Sequence, residues 1–434
     1  MSVYGIDLGT TNSLLGQGDR LLTGLVPSIV DLQAKKVGSD ERENVDAVRS
    51  FKVDISCGDE GLQSVLASAA VLQELKRQAG LRGRIKCVIT VPAEFDDNQR
   101  KATMKAAERA DIEVVALVNE PTAAAMYITK GMKKVTVVFD LGGGTFDVSV
   151  IDSRFGNYDV QHSAGNAHLG GDNLDTLIMS HFVKMGKVQL FRLKKADQLK
   201  LKLEATNAKI RMQKERRDFD VNLRVFGGGI VTFKEENYKA LMQRAFMKCI
   251  TQLHQVINAA VECGTKFDLV MVGGSTRCPY LREWVAREVG QEPVPLTYDP
   301  DLAVAYGAAM YAQMWENGEI DYMVSDITKA LSIGLSDGTV MNVIPSSSKI
   351  PISEEVMLTN PVEADLLDVK LYQGDSGLAV NNYYIGNLLY PYGEMKAAYT
   401  APVVVTVEVD ISGVVRLSCK EVGKEPVQKE LVLT

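Results

Sequence analysis

Tyr4-Gly5-Ile6-Asp7-Leu8-Gly9-Thr10-Thr11-Asn12, at the start of the chain, returns further on as Val138-Phe139-Asp140-Leu141-Gly142-Gly143-Gly144-Thr145-Phe146-Asp147. Each copy reads as a strand, an aspartate at its end, a Gly/Thr turn and a second strand. Glycines let backbone N–H groups come close to a phosphate, threonine hydroxyls add donors, and an aspartate at a strand end can hold a hydrated magnesium ion. One copy alone is ordinarily just a hairpin turn, because short glycine motifs arise easily by chance. Two copies with the same Asp-Leu-Gly core suggest facing turns that clamp one triphosphate.

A third segment, Leu269-Val270-Met271-Val272-Gly273-Gly274-Ser275-Thr276-Arg277, is a strand running into a glycine turn, followed by a helical pattern with Leu281, Trp284, Val285 and Val289 on one face. Such a turn can take the adenosine side of a nucleotide, although helix starts also use small residues for packing alone. Up to about residue 320, short apolar runs alternate with helical patterns, the grammar of α/β structure. Ile85 to Val91 reads as a strand, Asp96 and Asp97 as caps for a helix carrying Met104, Ala107 and Ala110, and Val114 to Val118 as the next strand. Asn119 is the expected N-cap of an alanine-rich helix. From Leu331 the period changes to two: Val405, Val407 and Val409 alternate with Thr406, Glu408 and Asp410, and Ser412-Gly413 turns the chain into Val415, Leu417 and Cys419. About a hundred residues of this kind suit a small β-sandwich. Between the two regions, Gly318 to Asp326 has the position of a linker, but Ile320, Tyr322, Met323 and Val324 make it apolar enough to be buried in one state.

Composition removes several function classes. A chain of 434 residues, 46% of them apolar, can bury more than one core. A net charge of -7 and the scarcity of basic runs argue against binding nucleic acid by neutralising phosphates. The six cysteines are scattered, without the short paired spacings of a zinc site or a disulfide framework, which suits a reducing compartment. No apolar run reaches the roughly 18 to 20 residues of a membrane span, and the first residues lack a signal peptide's pattern, so a soluble, cytoplasmic protein without membrane partners is expected.

With these motifs in order, the sequence resembles the DnaK-type, seventy-kilodalton heat-shock chaperones, whose ATPase domain shares its fold with actin and sugar kinases. Gly5 to Ser13, Val91-Pro92-Ala93, Asn119 to Ala125, Asp140 to Asp147, His168 to Gly171, Val272 to Arg277, Asp299-Pro300-Asp301 and Gln373-Gly374 carry the resemblance. It implies an α/β actin-like (ribonuclease H-like) two-lobed ATPase domain over residues 1–318, a linker over 319–330 and an all-β sandwich over 331–434. ATP/ADP and Mg2+ are the implied cofactors, and unfolded or extended client polypeptides the implied partners. By the same resemblance Asp7 and Asp140 hold the metal largely through water. Thr10, Thr11, Asn12, Gly142, Gly143, Gly144 and Thr145 wrap the phosphates, Thr145 also counting with the catalytic group. Lys52 acts near the γ-phosphate, Glu120 orients metal-bound water, and Asp147 positions or deprotonates the attacking water. Lys209, Gly273, Gly274, Ser275, Arg277 and Asp301 line the adenosine site.

The chain also departs from the family pattern. Thr206 stands in place of a ribose-contacting glutamate and Gln213 in place of a serine near the base, which implies weaker nucleotide binding. Between Pro27 and Leu62 the chain is shorter by a few tens of residues, which implies a reduced lobe and fast exchange, with an exchange factor a possible partner. Ala116 replaces an arginine presented to J-domain partners, so a weak response to a standard J-domain is expected. In the sandwich, Leu367 falls at the central peptide pocket beside Leu335, Met357 and Val369, the last two expected to be core, and the polar Asp337 and Asn360 fall where residues arch over the peptide. The chain stops at Leu431-Val432-Leu433-Thr434, where a helical lid would follow. These departures leave a nucleotide-dependent scaffold for one dedicated partner as the alternative to a chaperone. A sugar kinase is disfavoured, because nothing resembles a sugar site.

Overall fold

A computed structural model describes residues 2–56, 61–155, 158–261, 265–319, 325–326, 329–346, 348–410, 414–421 and 426–430. The first Gly/Thr turn closes an antiparallel hairpin between Val3–Leu8 and Asn12–Gln17, with Asp7 opposite Leu14. Val3–Leu8 pairs in parallel with Ile85–Val91, which pairs in parallel with Ile112–Asn119. The second turn repeats the design. Val135–Leu141 and Phe146–Asp152 form the hairpin, with Asp140 opposite Asp147, and Val135–Leu141 pairs in parallel with Phe267–Val272. Both strands of this second hairpin are buried along their whole length, as expected where helices cover both faces of a sheet.

Helix signals in the sequence are met with one exception. Asp96 caps the helix Asp97–Arg109 by a reciprocal capping box with Gln99, whose backbone N–H lies 2.8 Å from the Asp96 carboxylate. Asn119 holds the N-cap position of Glu120–Thr129 but makes no capping bond there. Its side-chain oxygen instead accepts a 2.8 Å bond from the Arg100 guanidinium, tying two helices together. The segment between Ile29 and Arg49 folds as three short paired strands, Ile29–Asp31, Lys36–Val37 and Val48–Arg49. Arg49 donates to the carbonyls of Glu41, Arg42, Asn44 and Ala47, satisfying in one place backbone groups that a short loop leaves exposed.

The two halves meet across the alanine-rich helices Glu120–Thr129 and Ala303–Glu316, whose core joins Val3 and Val88 of the first sheet to Val138 and Val270 of the second. The helices approach so closely that a Cβ on Gly307 would sit 1.9 Å from the carbonyl oxygen of Ala123. Tyr127 and Tyr306 stack beside this contact with ring centroids 4.8 Å apart.

After Ser325–Asp326, which pairs with Lys349–Ile350, the chain becomes all-β. Two four-stranded antiparallel sheets face one another over a single core. Val405, Val407 and Val409 point into that core and their neighbours point out, while the turn at Ser412-Gly413 lies outside the described residues. Ile320, Tyr322, Met323 and Val324 of the expected linker lie outside them as well. The four described cysteines are free and buried, and no described helix is long and apolar enough to cross a membrane.

Replacing Gly307 by Val should lower stability by about 1 to 3 kcal/mol or more, the usual cost of forcing atoms into a filled interface. Gly24→Ala, where the added Cβ meets nothing within 4 Å, is the control. Equal denaturation midpoints for both variants would show that the helix contact is looser than described.

Candidate active site

Between the halves lies a cleft of about 510 Å³. The two glycine turns form its floor and touch: a Cβ on Gly143 would fall 2.0 Å from the Thr11 hydroxyl. Ser28 and Ser13 fix the first turn, Ser28 donating to the Gly9 carbonyl at 2.7 Å and Ser13 accepting from the Gly9 N–H at 3.1 Å. The second is fixed through its carbonyls, with Ser275 Oγ and the Gly171 N–H on Gly142 and the Asp172 N–H on Gly143. These bonds tie the third glycine segment and the helix Gly171–Gly186 to the turn they surround.

Asp7, Thr10, Thr11, Asn12, Lys52, Glu120, Asp140, Gly142, Gly143 and Thr145 line the cleft on the side of the two glycine turns. Gly144 packs behind the wall, against Thr10 and Val53. Asp147 lies directly across the strand pair from Asp140 and is almost completely buried. Lys52, whose alignment crosses the shortened segment, reaches the centre: it is 2% exposed, forms an ion pair with Glu120 and lies over the Phe95 ring.

One ammonium therefore faces four carboxylates. Burial and then Glu120 push the Asp7 carboxyl up to about 7, although part of its surface opens on the cleft. Burial, Glu120 and Asp7 hold Asp140 well above the usual carboxylate range, and burial, Glu120 and Glu94 do the same for Asp147. Lys52 opposes each of these shifts without cancelling them. Among the described residues no cluster of three or more His, Cys, Asp or Glu side chains is arranged to grip a bare metal ion. The excess negative charge nevertheless fits a hydrated divalent cation shared with phosphates.

On the other side, Lys209, Gly273, Gly274, Ser275, Arg277 and Asp301 line the same cleft. Arg277 bonds Asp301 at 2.7 Å and also pairs with Asp299. The two residues that depart from the family pattern are already engaged: Thr206 donates to Asp175 at 2.9 Å and Gln213 to the Tyr238 hydroxyl at 2.8 Å. Asp175 also pairs with Lys209 at 2.8 Å. The sequence reading had stopped at Gly171 and so missed Asp175, together with Asp172, which accepts a 3.0 Å bond from Ser50 across the cleft. The Gly-Gly before the helix was the available signal for both.

The sandwich candidates are dispersed. Leu367 is only 6% exposed and belongs to the sandwich core, whereas its neighbour Leu366 is 41% exposed. Leu335 is half-exposed at the hairpin after Leu331–Gly334, and Asp337 in the same turn bonds Thr339. Val369 is core as expected, but Met357 is 65% exposed. Asn360 does not arch over anything: it is buried, and its amide donates to the carbonyls of Val362, Lys396 and Ala397. Ala116 sits on the edge strand Ile112–Asn119 with its side chain fully buried in the core against the sheet, so an arginine there would bury a charge.

Residues 30–433 match the family model described as Hsp70 protein. Three relatives bear the name chaperone protein DnaK. That of Thermotoga neapolitana is 30% identical over 481 residues, covering 99% of this chain and 80% of the relative. That of Prochlorococcus marinus is 30% identical, covering 97% and 76%, and that of Ureaplasma parvum 29%, covering 100% and 78%. The 481-residue alignment is longer than the 434-residue chain, so the relative carries segments inside the aligned stretch that this chain lacks. These likenesses do not favour a dedicated scaffold.

A carboxyl whose folded pKa is raised contributes stability that is present at acid pH and is lost as pH rises through the folded value. For Asp7 that loss runs from about pH 4 to above pH 7, and the shifts on Asp140 and Asp147 act in the same direction. The metal-free, nucleotide-free protein should therefore melt at lower temperature at pH 8 than at pH 5.5, with a shallower slope for Asp7→Asn. Identical slopes for both proteins in thermal melts would remove Asp7 as a source of the effect.

Proposed function

We propose, on the premise that the chain belongs to the Hsp70 family and is an ATP-dependent chaperone that hydrolyses ATP with Mg2+, that the cleft between the two glycine turns is its hydrolytic site. By family the fold is that of actin-like ATPase lobes followed by a β-sandwich. We place the ATPase domain at residues 1–318, the linker at 319–330 and the sandwich at 331–434. The observation that carries the site reading is the meeting of the two Asp-Gly hairpins over the buried Lys52–Glu120 pair.

In this reading Asp7 and Asp140 hold the cation's water shell, and Glu120 orients part of it while fixing Lys52. The bound cation supplies charge neutralisation at the transferring phosphoryl group. Thr10, Thr11, Asn12 and the second turn hold the phosphates, Thr145 adding a hydroxyl beside Asp147. Asp147 accepts a hydrogen bond from the attacking water and sets its direction of approach. Lys52 places its ammonium at the γ-phosphate. Lys209, Gly273, Gly274, Ser275, Arg277 and Asp301 hold the adenosine. The engagement of Thr206 and Gln213 with protein partners supports a looser grip on that end than a free carboxylate would give.

DnaK-like chaperones bind unfolded polypeptides, and we place the client site on the sandwich. Leu335 and Leu366 are exposed enough to meet a peptide, which supports binding of extended, partly apolar segments.

Asp140→Asn and Asp147→Asn should each lower the ATP turnover rate by about 100-fold, the usual effect of losing one group that acts on developing charge. Lys52→Ala should lower turnover with nucleotide affinity largely kept. Lost affinity with unchanged turnover of bound ATP in single-turnover assays would displace Lys52 from the γ-phosphate. Leu335→Asp should weaken capture of a fluorescent apolar peptide without changing basal hydrolysis. An unchanged peptide affinity, read by anisotropy, would move the client site elsewhere.

A further inference from the structure

Directly behind Asp147 lies a second carboxylate that the hydrolytic reading does not use. Asp147 is in register with Gly165, and a Cβ on that glycine would stand 2.6 Å from Asp147 Oδ1 and 2.8 Å from Glu94 Cγ. Only a glycine therefore separates the two acidic side chains. Glu94 is 20% exposed at its side chain and, among the described residues, meets the Ser163 hydroxyl at 3.4 Å and the Lys329 ammonium at 3.5 Å. Lys329 belongs to the all-β part of the chain by its anchoring. The next residue, Ala330, accepts from the Gly374 N–H at 2.9 Å, and its own N–H donates to Asp375 at 3.2 Å. The same face of the ATPase half is held by Lys349 on Asp159 at 2.8 Å.

We propose that Glu94 is a positioning residue for ATP hydrolysis whose effect on Asp147 is set by Lys329, so that the end of the linker, anchored on the sandwich through Ala330, supplies a charge behind the site. With the pair made, the ammonium offsets the charge of Glu94 and draws its carboxylate toward the sandwich. With the ammonium gone, an uncompensated carboxylate stands one glycine away from Asp147 and repels it, so Asp147 is held less firmly in the direction from which it meets water. This inference rests on Asp147 being the water-positioning group.

In the full-length protein, Lys329→Met should lower kcat by roughly threefold, the scale of a partly exposed ion pair, with the KM for ATP unchanged, while Lys329→Arg keeps the wild-type rate. Glu94→Gln alone should lower kcat less than Lys329→Met does, because it removes the charge that the ammonium offsets, and in that background Lys329→Met should have no further effect on kcat. A pair that only clamps the two parts together would behave differently, each single variant lowering kcat alike and the double variant no better. That result, or an unaltered kcat in Lys329→Met, overturns the proposal. Asp147→Asn, assayed alongside, separates the two readings: normal turnover there removes Asp147 itself, whereas slow turnover there without the Lys329–Glu94 dependence removes only this inference.

Discussion

Two helices that approach until no side chain fits between them set the geometry of this molecule. The backbone of Gly307 lies against the Ala123 carbonyl, with alanines on either side, so at this point the two halves are joined by main-chain packing, with side-chain packing around it. Such a joint has little room to slide. It fixes where the strands Val3–Leu8 and Val135–Leu141 end, and with them the spacing of Asp7 and Asp140. The glycine turns then meet with the Thr11 hydroxyl against Gly143 and the Thr10 methyl against Gly144. A bulkier joint would part the turns and leave two hairpins in place of a clamp.

The cost of that arrangement is electrostatic. Asp7, Glu120, Asp140 and Asp147 converge on one lysine in a largely dry place, where burial and mutual repulsion oppose the ionisation of the three aspartates. In the reading proposed above, stability is given up so that a cation and a polyphosphate find a prepared field, which is how a site built from positioning and charge works. The opposite side of the cleft is different in kind, with Asp175 serving Lys209 and Thr206 together and Arg277 shared by two aspartates.

The repeated hairpins, the strand Ile85–Val91, the Asp96 cap and the valine alternation of the sandwich were legible because each rests on chemistry within a few residues. Lys52 was reached only through the family resemblance, since a lysine after Ser50-Phe51 carries no local mark of burial. Ser50 and Glu94 were not legible at all, and Asp175 only through the Gly-Gly before its helix: their partners lie 31 residues away or more, and a carboxylate looks the same in sequence whether it faces water, lysine or another carboxylate. The resemblance put Leu367 at the peptide pocket, but along a strand a shift by one residue exchanges core for surface, and it is Leu366 that is exposed. Asn360 was placed over the peptide by the same resemblance. Three carbonyls made it a buried brace instead.

The Arg49 cluster bears on the order in which the chain can acquire its structure. Its bonds reach back only two to eight residues, to Ala47, Asn44, Arg42 and Glu41. Loops of that length close on a timescale of tens of nanoseconds, so during synthesis this knot can tie itself long before Asp172, 122 positions later, has left the ribosome to meet Ser50. A short early-forming knot in place of a longer lobe also lowers the contact order of the first half. The segment carrying Lys52 is thus held ready on the nascent chain, and the cleft is completed when the second half arrives.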